Sequence, residues 1–180
     1  NATLTLPTPG AANSLGANKA IVIDTAAATV TSVNSSTANG TYMAGQAVSI
    51  QINFSESVTV VGTPTLALNS GATVNYASGT GTSALTFTYT VASGETSADL
   101  DYSATNSLTA GTSIKDSGGN NATLTLASPG AANSLGDNKA IVIDTTAPTV
   151  TSVNSSTANG TYIEGQSVSI KVNFYESVTV

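Results

Sequence analysis

The sequence predicts an all-β protein that is organised as tandem domains. Apolar and hydroxyl residues alternate in several short stretches, and clusters of Gly, Asn, Ser and Pro separate these stretches. Such alternation is typical of half-buried strands, whereas no stretch shows the sustained period of an amphipathic helix. A long internal repeat is the third observation, and it sets the domain frame.

The repeat relates the two ends of the 180-residue chain. Residues 1–60 and 121–180 align without a gap at a period of 120 and differ at eleven positions, so that 49 of 60 are identical. A period of this length matches an independent domain rather than a solenoid unit. We therefore predict the C-terminal strands of a preceding repeat in 1–26, a complete repeat in 27–146 and the N-terminal strands of a following repeat in 147–180.

The first three predicted strands of the complete repeat follow from the alternation. Residues 29–33 alternate between hydroxyl residues and valine, and residues 65–68 repeat this pattern with leucine. Residues 46–54 place four large apolar side chains, from Val48 to Phe54, on one face and polar side chains on the other. An apolar face opposite a polar one is typical of an antiparallel sheet that is packed on one side.

Four more strands complete the predicted repeat. Residues 73–76 and 84–91 flank a glycine-rich hairpin turn, and both alternate threonine or asparagine with larger apolar residues. A long connection at 92–120 leads to the last two strands, at 122–126 and 140–143. About seven short strands in one domain of this size predict an immunoglobulin-like β-sandwich.

The composition excludes several classes of function. The chain has no Cys and no His, so disulfides, thiolate nucleophiles, Ser-His-Asp triads and imidazole-ligated metals are excluded. Four lysines, no arginine and a net charge of -6 leave no basic surface for nucleic acid. No apolar run approaches the ~20 residues that cross a bilayer, so we expect no membrane span in this segment.

The carboxylates remain as candidate catalytic groups. Two of them around a cleft are enough for glycoside hydrolysis. A sugar cleft of this kind needs aromatic side chains, however, and the chain has no Trp and only 5% aromatic residues. We therefore expect that the protein is not an enzyme.

Four segments carry a further signal, and they are Gly45-Gln-Ala-Val-Ser-Ile-Gln-Ile-Asn-Phe-Ser-Glu-Ser-Val-Thr-Val60, Asp99-Leu-Asp101-Tyr102, Lys115-Asp-Ser-Gly-Gly-Asn-Asn-Ala-Thr-Leu-Thr-Leu126 and Ile143-Asp-Thr-Thr-Ala-Pro148. Pro148 in the last segment suits a stiff linker, and Ala28 replaces it at the first junction. Together the segments resemble the Ig-like and cadherin-like tandem repeats of very large bacterial cell-surface proteins and adhesins. The resemblance implies an extracellular, non-enzymatic role in a stalk or in adhesion, often with calcium between domains.

Calcium binds six to eight oxygen ligands, and the acidic residues are its candidate ligands. In an immunoglobulin-like sandwich the connection after the fifth strand lies at the same pole as the end of the last strand. Asp99, Asp101 and Asp144 are therefore predicted to converge with Glu176 of the next repeat at one junction, with Asp116 expected at the same pole. Asp99 and Asp101 point the same way if this stretch is extended.

The other junction is predicted to bring together Asp24 and Glu56, with Asp137 as a further candidate ligand. The alternative is that these acids cap turns or stay solvated, as the Asp of Asp116-Ser-Gly-Gly often does. The sequence leaves both interpretations open.

Two functional hypotheses follow. The first is a stalk, spacer or fibre segment of an extracellular surface protein connected with adhesion or biofilm formation, whose partners are further copies of the repeat. The second is a ligand-binding adhesin module that recognises a surface glycan or a host protein. Near-identity of the copies favours the spacer, because binding modules usually diverge in their loops.

The two partial repeats are expected to expose apolar faces, such as the one formed by Val168, Ile170, Val172 and Phe174. Open strand pairs with apolar faces are marginal in water and recruit other chains. Either the segment belongs to a longer covalent array, or separate copies complete one another by strand complementation. We favour the covalent array.

Overall fold

The computed structural model of the chain describes residues 1–178. Strands dominate, and the helices of the described residues are two four-residue turns, Leu15–Asn18 (α1) and Leu135–Asn138 (α2). The all-β prediction is confirmed. The strands are β1 Val30–Ser35, β2 Gly40–Tyr42, β3 Ala47–Val61, β4 Thr65–Ala67, β5 Thr73–Ser78, β6 Thr82–Thr90, β7 Thr96–Ser97, β8 Leu108–Thr109, β9 Ser113–Lys115, β10 Ile141–Asp144, β11 Val150–Asn154 and β12 Lys171–Phe174.

The largest sheet has seven strands and is antiparallel throughout. Its order is β1-β3-β6-β5-β4-β8, and β9 pairs with β3 outside this path. The 15-residue strand β3 serves two partners in succession, because its register with β6 shifts between Asn53 and Val58. Beyond the shift, residues 59–61 of β3 pair with β9. This change of partner places the middle of β3 beside the turn that follows β9.

Two smaller sheets complete the chain. In the three-stranded sheet β10 lies between β2, to which it is parallel, and β7, to which it is antiparallel. The two-stranded sheet pairs β11 with β12. Its register opposes Val150 to Phe174, as β1 and β3 oppose Val30 to Phe54 one period earlier, and both pairs have the same register shift. The repeated sequence thus repeats the register of this strand pair.

The buried apolar core lies within the segment predicted to be the complete repeat. All buried hydrophobic residues of the described chain fall between Ala28 and Ile143. The large apolar residues of 1–26 and of 147–178 are exposed instead. Neither α1 nor α2, the helices of the described residues, is long and apolar enough to cross a membrane.

The structure corrects two features of the predicted repeat. Residues 122–126 form no extended strand; Thr123 makes only an isolated bridge to Thr29. The connection at 92–120 contains β7, β8 and β9 and buries Leu100 and Tyr102. Strands of two or three residues are too short to show the alternation by which strands are recognised in a sequence.

Candidate functional site

Three carboxylates from distant parts of the sequence form one acidic cluster. Asp24, Glu56 and Asp116 each offer an oxygen within 4.8 Å of the other two, which within residues 1–178 is the one group of three or more such side chains. Asp24 precedes the predicted domain boundary near 26/27, and the other two residues follow it. The cluster therefore spans that boundary.

The fold of the large sheet brings Glu56 and Asp116 together. Glu56 lies in β3 at the register shift, and Asp116 directly follows β9. Because Lys115 pairs with Thr59, the chain leaves β9 toward the middle of β3. A tight turn then closes on Asp116, whose Oδ1 accepts a hydrogen bond from the backbone N–H of Asn120 at 2.9 Å.

Asp24 is held against this turn by the side chain of Asn120. The Asn120 Nδ2 donates to the main-chain oxygens of Asp24 and Ala26, both at 3.3 Å, and to Asp116 Oδ2 at 3.0 Å. Gly118 packs so closely on Asp24 that a Cβ at position 118 would lie 3.0 Å from the Asp24 Cβ. The close contact explains why a glycine occupies this position in the turn.

The pKa values of the carboxyl groups reflect mutual repulsion and local hydrogen bonding. Removal from water, followed by the charges of Asp24 and Asp116, raises the pKa of Glu56. Burial also raises the pKa of Asp116, but hydrogen bonds from the backbone and side chain of Asn120 and the backbones of Gly118 and Gly119 outweigh it and lower this pKa overall. Hydrogen bonds therefore favour the ionised form of Asp116, whereas removal from water and the charges of the other two carboxylates disfavour the ionised form of Glu56.

The donor set fits a hard divalent cation. Three carboxylates supply up to six oxygens and three negative charges, and Ca²⁺ takes six to eight oxygens from carboxylates, carbonyls and water. Removal from water is the largest cause of the raised pKa of Glu56, and a cation would offset the second cause, the charges of Asp24 and Asp116. The residues that would hold it are Asp24, Glu56 and Asp116.

The structure brings together part of the predicted ligand set. Asp24 and Glu56, predicted to meet at one junction, both belong to the cluster. The prediction that Asp116 lies at the same pole as Asp144 is wrong, because Asp116 joins Asp24 and Glu56. Asp137 is not part of the cluster; its carboxylate accepts a hydrogen bond from the Asn133 backbone N–H at 3.2 Å, at the start of α2.

Asp99, Asp101, Asp144 and Glu176 do not form such a cluster within the described residues. Asp99 and Asp101 are close, and burial followed by the charge of Asp101 raises the pKa of Asp99. Asp144 instead accepts a hydrogen bond from the Thr146 backbone N–H at 2.9 Å.

The repeat relates the two sets of acids. Asp144 and Glu176 are the copies of Asp24 and Glu56 one period later.

One feature of the sequence indicates that a strand ends directly before Asp116. Ser113-Ile-Lys115 has the alternation of a strand immediately before the Asp-Ser-Gly-Gly turn, and Ile114 is buried.

Comparisons of the chain with protein-family models, with curated proteins and with solved structures give no match.

Proposed function

We propose that the chain is a structural repeat module, a spacer or fibre segment of a large extracellular bacterial surface protein connected with adhesion or biofilm formation. The module is an immunoglobulin-like sandwich, and its partners are further copies of itself. Its function is to hold a fixed distance and direction, and it catalyses no reaction. The cluster at the predicted boundary, together with the repeat, is the observation that carries this proposal.

The near-identity of the two copies supports a spacer. Of 60 aligned positions, 49 are identical, and both copies form the same register between paired strands. A spacer needs each copy to fold and stack in the same way, whereas a ligand-binding module needs a particular surface. Neither Asp24 nor Glu56 is among the eleven positions that differ.

The strand order supports an immunoglobulin-like sandwich. The order β1-β3-β6-β5 joins the first, second, fifth and fourth strands predicted from the sequence. This is the order of one sheet in immunoglobulin domains. The fold departs from that plan at β4, which pairs with β5 and β8 of the same sheet rather than with a strand of a second sheet.

Calcium at the acidic cluster stiffens the junction in this proposal. Asp24 lies before the boundary, whereas Glu56 and Asp116 lie after it, so a shared ion links the two sides. An ion that binds only the folded state stabilises it by about 2.7 kcal/mol at a hundredfold excess over the dissociation constant. The same ion neutralises carboxylates that otherwise repel one another.

A glycan array probed with the fluorescently labelled full chain, in calcium-containing buffer, tests the spacer against the ligand-binding alternative. The spacer proposal predicts that the fluorescence bound to the array does not exceed the level that remains when unlabelled chain is added as a competitor. Repeatable binding to one class of glycan, competed by unlabelled chain, contradicts it and favours the adhesin module.

A further inference from the structure

Thr145, the residue that directly follows β10, is hydrogen-bonded to the turn at residues 92–95. Its Oγ1 accepts a hydrogen bond from the Gly94 N–H at 2.9 Å and donates one to the main-chain oxygen of Glu95 at 3.0 Å. The hydroxyl thus acts as acceptor and as donor at once. It attaches the first residue of the linker at 145–148 to the complete repeat.

The turn at 92–95 has a fixed conformation because its own side chain closes it. Glu95 Oε2 accepts hydrogen bonds from the Tyr89 hydroxyl at 2.8 Å and from the Ala92 N–H at 2.7 Å. Tyr89 is buried in the core, so the carboxylate ties the turn to a side chain that cannot move freely. The two backbone groups that bind Thr145 therefore have defined directions.

The same segment also holds the strand that leads into the linker. β7 follows the turn directly, and its Thr96 pairs with Asp144, the last residue of β10. Asp144 Oδ1 accepts a hydrogen bond from the Thr146 N–H at 2.9 Å, which forms a local turn. Strand pairing thus fixes the chain up to Asp144, and the Thr145 hydroxyl fixes the first residue beyond it.

The first junction has the same local turn. Asp24 Oδ1 accepts a hydrogen bond from the Ala26 N–H at 3.1 Å. The Asp-Thr pair is identical at 24–25 and 144–145, whereas two of the three residues that follow it differ between the copies. The part of the linker that is the same in both copies is therefore the part that makes these hydrogen bonds.

The two residues of the pair have partners on opposite sides of a junction. Asp24 contacts the repeat that the chain enters, through Asn120 and the acidic cluster. Thr145 contacts the repeat that the chain leaves. One dipeptide can thus connect two successive repeats, with a different side chain for each.

We propose that Thr145 is a positioning residue, which sets the direction in which the chain leaves the complete repeat by docking on the turn at 92–95. The next copy of the repeat is the partner that this contact orients. The inference rests on the tandem-repeat part of the proposed function. It does not depend on calcium, because the contact is made by a hydroxyl and two backbone groups.

The test uses two spin labels, which can be placed specifically because the chain has no cysteine. Ser83→Cys, in β6, and Ala147→Cys, in the linker, change exposed residues. Double electron–electron resonance of the labelled full chain measures the distribution of distances between the labels. We expect a narrow distribution in the parent chain and a broader one in Thr145→Val, which removes the hydroxyl and keeps the β-branched shape.

Hydrogen exchange at the Gly94 N–H gives a second, local measurement without labels. Thr145→Val removes the acceptor of this group, so its exchange should become roughly 2- to 10-fold faster, as expected for the loss of one hydrogen bond. Thr145→Ser keeps the hydroxyl, and Thr146→Val changes the exposed neighbour. Both variants should retain the narrow distribution and the slow exchange.

Three results overturn the assignment. They are equal distribution widths in the parent chain and Thr145→Val, an equally large effect of Thr146→Val, and an effect of Thr145→Val that disappears in chelator. Specific glycan binding by a chain that shows all the expected widths contradicts the spacer proposal and leaves this assignment in place. The two proposals therefore fail separately.

Discussion

The side-chain amide of Asn120 donates a hydrogen bond to the main-chain oxygen of Asp24 at 3.3 Å, across 96 positions of sequence. The same nitrogen donates to Asp116 Oδ2 at 3.0 Å. One side chain thus connects the segment before the predicted domain boundary to a carboxylate after it. Asn120 orients the acidic cluster without contributing charge to it.

Asn120→Ala should make the protein more sensitive to acid. The folded-state pKa of Asp116 is lowered, so this carboxylate stabilises the fold above its unfolded pKa, and its contribution is lost as pH falls through the folded pKa. Removal of the Asn120 side chain brings the folded pKa closer to the ordinary value. Acid unfolding followed by circular dichroism should shift to higher pH, whereas Asn121→Ala, at the exposed neighbour, should leave the midpoint unchanged.

Glu56→Gln should have opposite effects with and without calcium. The folded-state pKa of Glu56 is raised, so its contribution to stability is complete below the unfolded pKa and is lost as pH rises through the folded pKa. In chelator at neutral pH the variant should therefore melt at a higher temperature than the parent chain.

In calcium the same substitution should weaken binding by about tenfold or more, because the ligand charge count sets the dissociation constant. Isothermal titration calorimetry measures this effect, with Glu164→Gln as the exposed control. Equal calcium affinity of the parent chain and Glu56→Gln removes Glu56 from the site.

Leu135→Ala and Leu15→Ala should differ sharply, although both change the same position of the repeat. Leu135 is fully buried, and such a truncation costs about 2–5 kcal/mol. Leu15 is 71% exposed, and a surface change of this kind stays within about 0.5 kcal/mol. Urea unfolding measures the free energy of unfolding of both variants. Similar losses contradict the finding that the buried core lies within the predicted complete repeat.

Tyr102→Phe should destabilise the chain by about 0.5–1.5 kcal/mol, because the half-buried Ala127 carbonyl loses its hydrogen-bond donor. Tyr175→Phe is the matched control at a residue that is 80% exposed. Burial, followed by the charge of Asp101, raises the pKa of Tyr102 to about 12.

Tyrosine ionisation adds a pH dependence to that comparison. The raised pKa means that the contribution of Tyr102 is complete below its unfolded pKa and is lost as pH rises toward about 12. The stability difference between the parent chain and Tyr102→Phe should therefore narrow in strong alkali. A difference that grows with pH is inconsistent with this assignment.

The long strands were predictable because their alternation is strong. Val48, Ile50, Ile52 and Phe54 were predicted on one face of a strand, and all four are buried. The extension of β3 to Val61 was missed, because its second half depends on pairing with β9. Such pairing joins residues far apart in sequence and is set by tertiary contacts rather than by local pattern.

Two of the three residues of the acidic cluster could be predicted to meet from the sequence. Asp24 and Glu56 follow from the domain frame, since one ends a repeat and the other lies in the next. The position of Asp116 depends on β9, a three-residue strand within the predicted connection at 92–120. Its placement needed the register of Lys115 against Thr59, which the sequence alone does not contain.

Small-angle X-ray scattering of the full chain, with calcium and with chelator, measures whether a cation joins the two sides of the predicted boundary near 26/27. A bound cation should give a larger maximum dimension in calcium, which chelator reverses and Asp24→Asn abolishes. Asp144→Asn changes the copy of the same residue outside the cluster, and it should keep the response. Identical scattering in calcium and chelator, or an equal response in both variants, would show that no cation joins the two sides.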